Sequence, residues 1–140
     1  MLELKQLEKR YTTKRALQGV DLLVLESTAA GLVISFQGTE PVPELDVLVC
    51  NAGICHSGLI SDISEQQWDR LFAVNVKGIY HCVKEAVPFF LRKQSGSIVT
   101  ISSMWGQVGA SCEVAYSAAN GAVIAMTKAM AKELGPSGIR

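Results

Sequence analysis

The sequence has no surplus of charge of either sign: thirteen lysines and arginines stand against thirteen aspartates and glutamates, and charged residues make up 19% of the chain. Without a one-signed field there is nothing to hold a phosphate backbone or an anionic bilayer, so neither nucleic acid nor a membrane surface is an expected partner. Long apolar runs are also missing. The longest uncharged stretch, residues 94–112, is broken throughout by serine, glycine and glutamine, unlike the roughly 20 apolar residues of a membrane span. Met1-Leu2-Glu3-Leu4-Lys5 carries charge where an export signal has an apolar stretch, so the cytoplasm is the expected location. Cysteine is sparse. Cys50, Cys55, Cys82 and Cys112 form no C-x-x-C pattern; His56 and His81 adjoin two of them, yet the spacing points to free thiols and no metal site. No two glycines are separated by a single residue, and no glycine precedes a lysine. That excludes the usual glycine-rich turns that cradle a pyrophosphate or a nucleoside triphosphate.

What is present is enough for one globular domain: 140 residues, 49% of them hydrophobic. Residues 1–40 and 41–140 read differently, with a turn-rich seam at Gly38-Thr39-Glu40-Pro41-Val42-Pro43. Before the seam, residues 20–25 and 32–36 are short strand-like runs. The gap between them is too short for a crossover helix, so a hairpin connection is expected. After it, Leu45-Asp46-Val47-Leu48-Val49-Cys50 has the continuous apolar character of a strand buried on both faces. Ser64 with Gln67 makes a capping box, and Trp68, Phe72, Val76, Ile79, Val83, Val87 and Phe90 then recur at helical spacing. Pro88 should kink or weaken the last turns of that helix. A second strand is predicted at Gly96-Ser97-Ile98-Val99-Thr100-Ile101-Ser102, and a second helix from near Glu113 to the stop signal Gly135-Pro136. Strand, helix, strand, helix predicts an α/β fold with part of a doubly wound parallel sheet, Rossmann-like and truncated at both ends.

Four side chains stand out chemically. Asn75 falls on the apolar stripe of the first helix, where an amide needs partners; it either satisfies a bulged backbone or serves a site. Ser103 follows the second strand at its carboxyl end, where parallel sheets place ligands, and Tyr116 lies in the first turn of the next helix. If the intervening loop folds back, a hydroxyl and a phenol converge on one oxygen, an arrangement suited to protonating a carbonyl; otherwise they are a turn former and a core aromatic. Asn120 stands one helical turn beyond Tyr116 on the same face. It carries no charge that would lower a phenol pKa from about 10.

Taken together, Asn51-Ala52-Gly53 after a buried strand, Val74-Asn75-Val76-Lys77-Gly78, Ile101-Ser102-Ser103 and Tyr116-Ser117-Ala118-Ala119 resemble the short-chain dehydrogenase/reductase family over residues 45–140. The resemblance implies an oxidoreductase that transfers hydride between NAD or NADP and a carbonyl or secondary alcohol. It implies Tyr116 as acid/base, Ser103 holding the substrate oxygen and Asn75 supporting a proton relay. Asn51, Ala52, Gly53, Ile101 and Tyr116 would border the cofactor, and the two long helices would build a homo-oligomer. Three departures follow. Asn120 occupies the position of the family's lysine, the family's T-G-x-x-x-G-x-G turn is absent, and the sequence ends at Ile139-Arg140, where a further strand is expected. Impaired catalysis is therefore expected, and the alternative is a catalytically inactive remnant that binds or oligomerises through its helices. Residues 1–24, through Tyr11 and Ala16-Leu17-Gln18-Gly19-Val20, faintly resemble the start of an ABC-transporter ATP-binding subunit. The phosphate loop of that family is missing, which excludes ATP hydrolysis; the plain reading is an amphipathic strand followed by a basic turn.

Overall fold

The computed structural model describes residues 45–140 in full and, before them, the backbone of residues 10–11 and 14–15. The chain divides into two units, Met1–Val33 and Ile34–Arg140. In the first, strand β1 (Arg10–Tyr11) pairs antiparallel with β2 (Lys14–Arg15), Arg10 opposite Arg15 and Tyr11 opposite Lys14. The strands expected at 20–25 and 32–36, the seam, and most of the transporter-like segment lie outside the described residues.

In the second unit, β3 (Val47–Cys50) runs parallel to β4 (Ser97–Thr100), with Val47 opposite Ser97 and Cys50 opposite Thr100. Parallel strands need a crossover, and helix supplies it. Helix α1 (Glu65–Phe72) opens on the predicted capping box: Gln67 N donates to Ser64 Oγ at 3.2 Å, and Ser64 N donates to Gln67 Oε1 at 2.8 Å. A wide turn, Ala73–Lys77, follows; its Ala73 carbonyl accepts from Gly78 N–H five residues on, the mark of a π turn. Helix α2 (Gly78–Lys93) then continues through Pro88 to its end, where Gln94 takes a left-handed conformation with φ 53°. The expected weakening at Pro88 does not shorten the helix. Pro88 and Lys84, whose carbonyl loses its partner, are both exposed, so water satisfies the freed group.

From β4 the chain passes through a short helix α3 (Trp105–Val108) into α4 (Val114–Leu134), which begins after Glu113 and stops at Gly135-Pro136 as the sequence predicts. Beyond it, Ile139 bridges Gly96 in parallel and Arg140 N donates to the Gly96 carbonyl at 3.0 Å, which starts a third line of the sheet.

Helices α2 and α4 lie on one face of the sheet, where Cys50, Ile79, Val83 and Val123 are buried with Leu48 and Ile98 packed against them. A neighbouring cluster holds Phe90, fully buried, with Ala86, Leu134 and Ile139. Each such apolar side chain contributes roughly 1.5–3 kcal/mol. Gly96 is needed there because a Cβ would stand 2.4 Å from a Phe90 ring carbon. The other face corrects the expectation of a strand buried on both sides. Val47, Val49, Val99 and Ile101 are 42–52% exposed, because no described helix crosses that side. The alternation along β3 is thus that of a half-covered sheet, and the fold is part of an α/β, Rossmann-like layer.

Candidate active site

Where β3 and β4 end, Ile101 N donates to the Cys50 carbonyl at 3.0 Å, so Asn51 and Ile101 leave the sheet side by side. A cleft of about 340 Å³ opens at this carboxyl edge, at the lower end of the ~300–1,000 Å³ range of ligand pockets. Asn51, Ala52, Gly53, Asn75, Ile101, Tyr116 and Asn120, all singled out in the sequence, line it. They come from two strand ends, the π turn and α4.

Asn75 is 7% exposed, and its amide is matched to one peptide unit: Ile54 N donates to Asn75 Oδ1 at 2.9 Å, and Asn75 Nδ2 donates to the Ile54 carbonyl at 2.8 Å. This pair fixes the turn that follows Asn51-Ala52-Gly53. The amide lies within the π turn but bonds the distant Ile54 peptide and not the bulged backbone itself, and Asn75 also lines the cleft.

Tyr116 is half-buried against the cluster of Leu71, Ala115 and Ala119, and its hydroxyl makes no hydrogen bond to a described residue. Ser103 is not among the residues lining the cleft; its Oγ accepts from Trp105 N at 3.3 Å at the entrance to α3. Its neighbour Ser102 does line the cleft. Ser102 Oγ donates to the Asn120 carbonyl at 3.0 Å and to Asn120 Oδ1 at 3.3 Å, while Asn120 Nδ2 donates to the Tyr116 carbonyl at 2.9 Å. Asn120 is 5% exposed, so both ends of its amide are occupied inside the protein.

The profile of the family described as short chain dehydrogenase matches residues 8–140. The chain belongs to the short-chain dehydrogenase family. It is 43% identical over 99 residues to the uncharacterized oxidoreductase YmfI of Bacillus subtilis (strain 168), covering 71% of this chain and 41% of that protein. It is likewise 43% identical over 95 residues to the 3-oxoacyl-acyl-carrier-protein reductase FabG of Staphylococcus aureus (strain N315), covering 68% of this chain and 39% of the relative. Among solved structures, one described as ElxO with NADP bound superposes with a TM-score of 0.69 at 36% identity, over 71% of this chain and 40% of that one. The chain thus spans about two fifths of the length of the relatives it matches.

Among the described residues no lysine or arginine lines the cleft, and Asn120, at the family's lysine position, donates one amide hydrogen to the Tyr116 carbonyl. The backbone of Asn51-Ala52-Gly53 and the Ile101 side chain remain as a neutral wall.

Two features escaped sequence reading. Ile54, Cys55 and Ser102 line the cleft, and only their adjacency to the motifs hinted at it. Gly106 packs α3 onto α4 so closely that a Cβ would lie 2.6 Å from the Asn120 carbonyl carbon. Of the four cysteines, only Cys50 is buried; all four are free thiols. Among the described residues no cluster of metal-ligating side chains forms, and no helix is long and apolar enough to cross a membrane.

Proposed function

We propose that this chain carries the carbonyl or secondary-alcohol side of a short-chain dehydrogenase site, in which Tyr116 exchanges a proton with the substrate oxygen. The observation that carries the reading is the half-buried Tyr116 phenol, without a protein partner, in the same cleft as Asn51-Ala52-Gly53 and Asn75. Ser103 has a hydroxyl hydrogen that donates to no described residue, and in this reading that hydroxyl turns to the same oxygen. Asn75 acts by holding the Ile54 peptide in place. Hydride transfer with NAD or NADP is the reaction of the family; here the neutral cleft and Asn120 support a weakened engagement of that cofactor.

The test is a titration of NADH and NADPH into the full chain, following cofactor fluorescence and oxidation in the presence of a ketone. Turnover about 10²–10⁴ below that of an intact acid/base site is expected, and Tyr116→Phe should abolish it. Fast turnover that survives Tyr116→Phe would defeat the reading. A second reading, a binding or homo-oligomeric module that uses α2 and α4, is favoured by the internally bonded Asn120. Cofactor binding without any turnover would select it.

A further inference from the structure

Two segments continue in the chain from the cleft-lining residues 51–55 and 101–102, and they are tied together. Gly58 N donates to the Cys112 carbonyl at 2.7 Å, and Ser57 Oγ donates to Glu113 Oε1 at 3.3 Å. The segment after β3 exposes Leu59 at 57% and Ile60 at 67%; the segment after β4 exposes Met104 at 64% and Val108 at 70%. A single exposed leucine carries no information. Four large apolar side chains exposed on two linked segments that continue from the cleft lining are the composition that marks a ligand site.

The two segments and the stretches of sequence around them carry charge of one sign. No lysine or arginine occurs in residues 51–69 or 94–127, whereas Asp62, Glu65, Asp69 and Glu113 do. The backbone amides at helix starts, which bind anions elsewhere, are also compromised. Helix α1 opens on its own capping box beside Glu65, and α4 opens directly after Glu113. Recognition of a phosphate or carboxylate needs a guanidinium, an ammonium or a free helix start, and among the described residues the two segments offer none of these. Inside, every polar group of the cleft is neutral.

Resting on the reading of Tyr116 above, we propose that the ligand of this site is an uncharged carbonyl compound or secondary alcohol with a compact apolar body, taken up as a free small molecule. The oxygen meets the Tyr116 phenol while the apolar body lies along Ile54 and out over Met104, Val108, Leu59 and Ile60. Substrates carried on a phosphate-bearing arm or an acidic carrier are disfavoured by the same segments. That separates this chain from the relatives whose name gives an acyl-carrier-protein substrate.

The experiment is amide-detected NMR of the labelled full chain titrated with 2-heptanone, with acetoacetate as a carboxylate probe and with acetoacetyl-coenzyme A as a phosphate-bearing one. The ketone should shift signals at residues 54–60 and 101–116, and both anions should bind at least about tenfold more weakly. Met104→Asp and Val108→Asp should each weaken the ketone about tenfold, the equivalent of ~1.4 kcal/mol, and Met104→Leu should restore it. Anions that bind as tightly as the ketone, aspartate variants without effect, or no binding of any probe would overturn the proposal. Tyr116→Phe separates the two readings. If it leaves ketone binding intact while the aspartate variants do not, the assignment of Tyr116 fails and the role of the apolar segments stands. If the reverse holds, the role of the segments fails and the phenol stands.

Discussion

Replacing Asn75 by alanine removes two hydrogen bonds at once, because its Oδ1 and Nδ2 serve the N–H and the carbonyl of the same residue, Ile54. A buried polar group left without a partner costs about 1–3 kcal/mol. Ile54 is only partly buried, so water recovers some of the loss, and about 2–4 kcal/mol is expected. For a folded unit of this size each 1 kcal/mol moves the Tm by roughly 4–8 °C, so the variant should melt at least ~8 °C lower. Urea unfolding followed by tryptophan fluorescence should show a lower midpoint with an unchanged slope. Asn75→Asp sharpens the test. Ionised, its carboxylate accepts from Ile54 N but faces the Ile54 carbonyl; protonated, it donates to that carbonyl as the amide did. The folded state therefore raises its pKa above the ordinary value of about 3.9. The contribution of the protonated form is complete below that ordinary value and is lost as pH rises through the raised one. The stability gap to the parent should be wide at pH ~7 and narrow toward pH ~3–4. An alanine variant within about 0.5 kcal/mol of the parent, or an aspartate variant whose deficit does not change with pH, would refute the clamp.

Other expectations follow from the same contacts. Gly106→Ala should cost about 1–3 kcal/mol in chemical denaturation, since its new methyl meets the Asn120 backbone, which has nowhere to retreat inside α4. Ser64→Ala should cost about 1 kcal/mol by opening the α1 capping box, with Ser64→Asp recovering most of it. Timed alkylation with mass spectrometry should modify exposed Cys55 and Cys112 first. Cys50 should stay unmodified up to mildly alkaline pH until the chain unfolds, because its hydrogen bond to Cys82 and its burial push the thiol far above the ordinary range. Labelling of Cys50 at the rate of Cys55 would contradict the packing of β3 under α2.

The path of the backbone from residue 45 onward was open to sequence reading because each boundary carries its own local chemistry. Ser64 and Gln67 start α1, and Gly135-Pro136 ends α4. The site residues Asn51, Ala52, Gly53, Asn75, Ile101, Tyr116 and Asn120 line one cleft, and Ser103 does not. What could not be read is whatever depends on neighbours. The apolar run 45–50 looks alike whether one face or both are covered, and only the placement of α2 and α4 shows that Val47 and Val49 are bare. Pro88 was expected to kink or weaken the last turns of its helix, but its position on the exposed side lets the helix continue. Asn120 could be recognised as a missing cation; that its amide is bonded inward depends on Ser102, eighteen residues away in the chain. A side chain that answers to distant partners leaves no periodic trace.

The π turn at Ala73–Lys77 has a consequence for how variation can accumulate here. One additional residue in a single turn rotates everything downstream by about 100° relative to an uninterrupted helix. Trp68 and Phe72 upstream and Val83 and Phe90 downstream therefore answer to two separate phases, with Asn75 at the slip between them. Point substitutions on either side can be absorbed locally. The loss of a single residue between 73 and 77 would instead straighten the rod, swing the Asn75 amide off the Ile54 peptide, and leave one of the two faces turned away from its half of the interior.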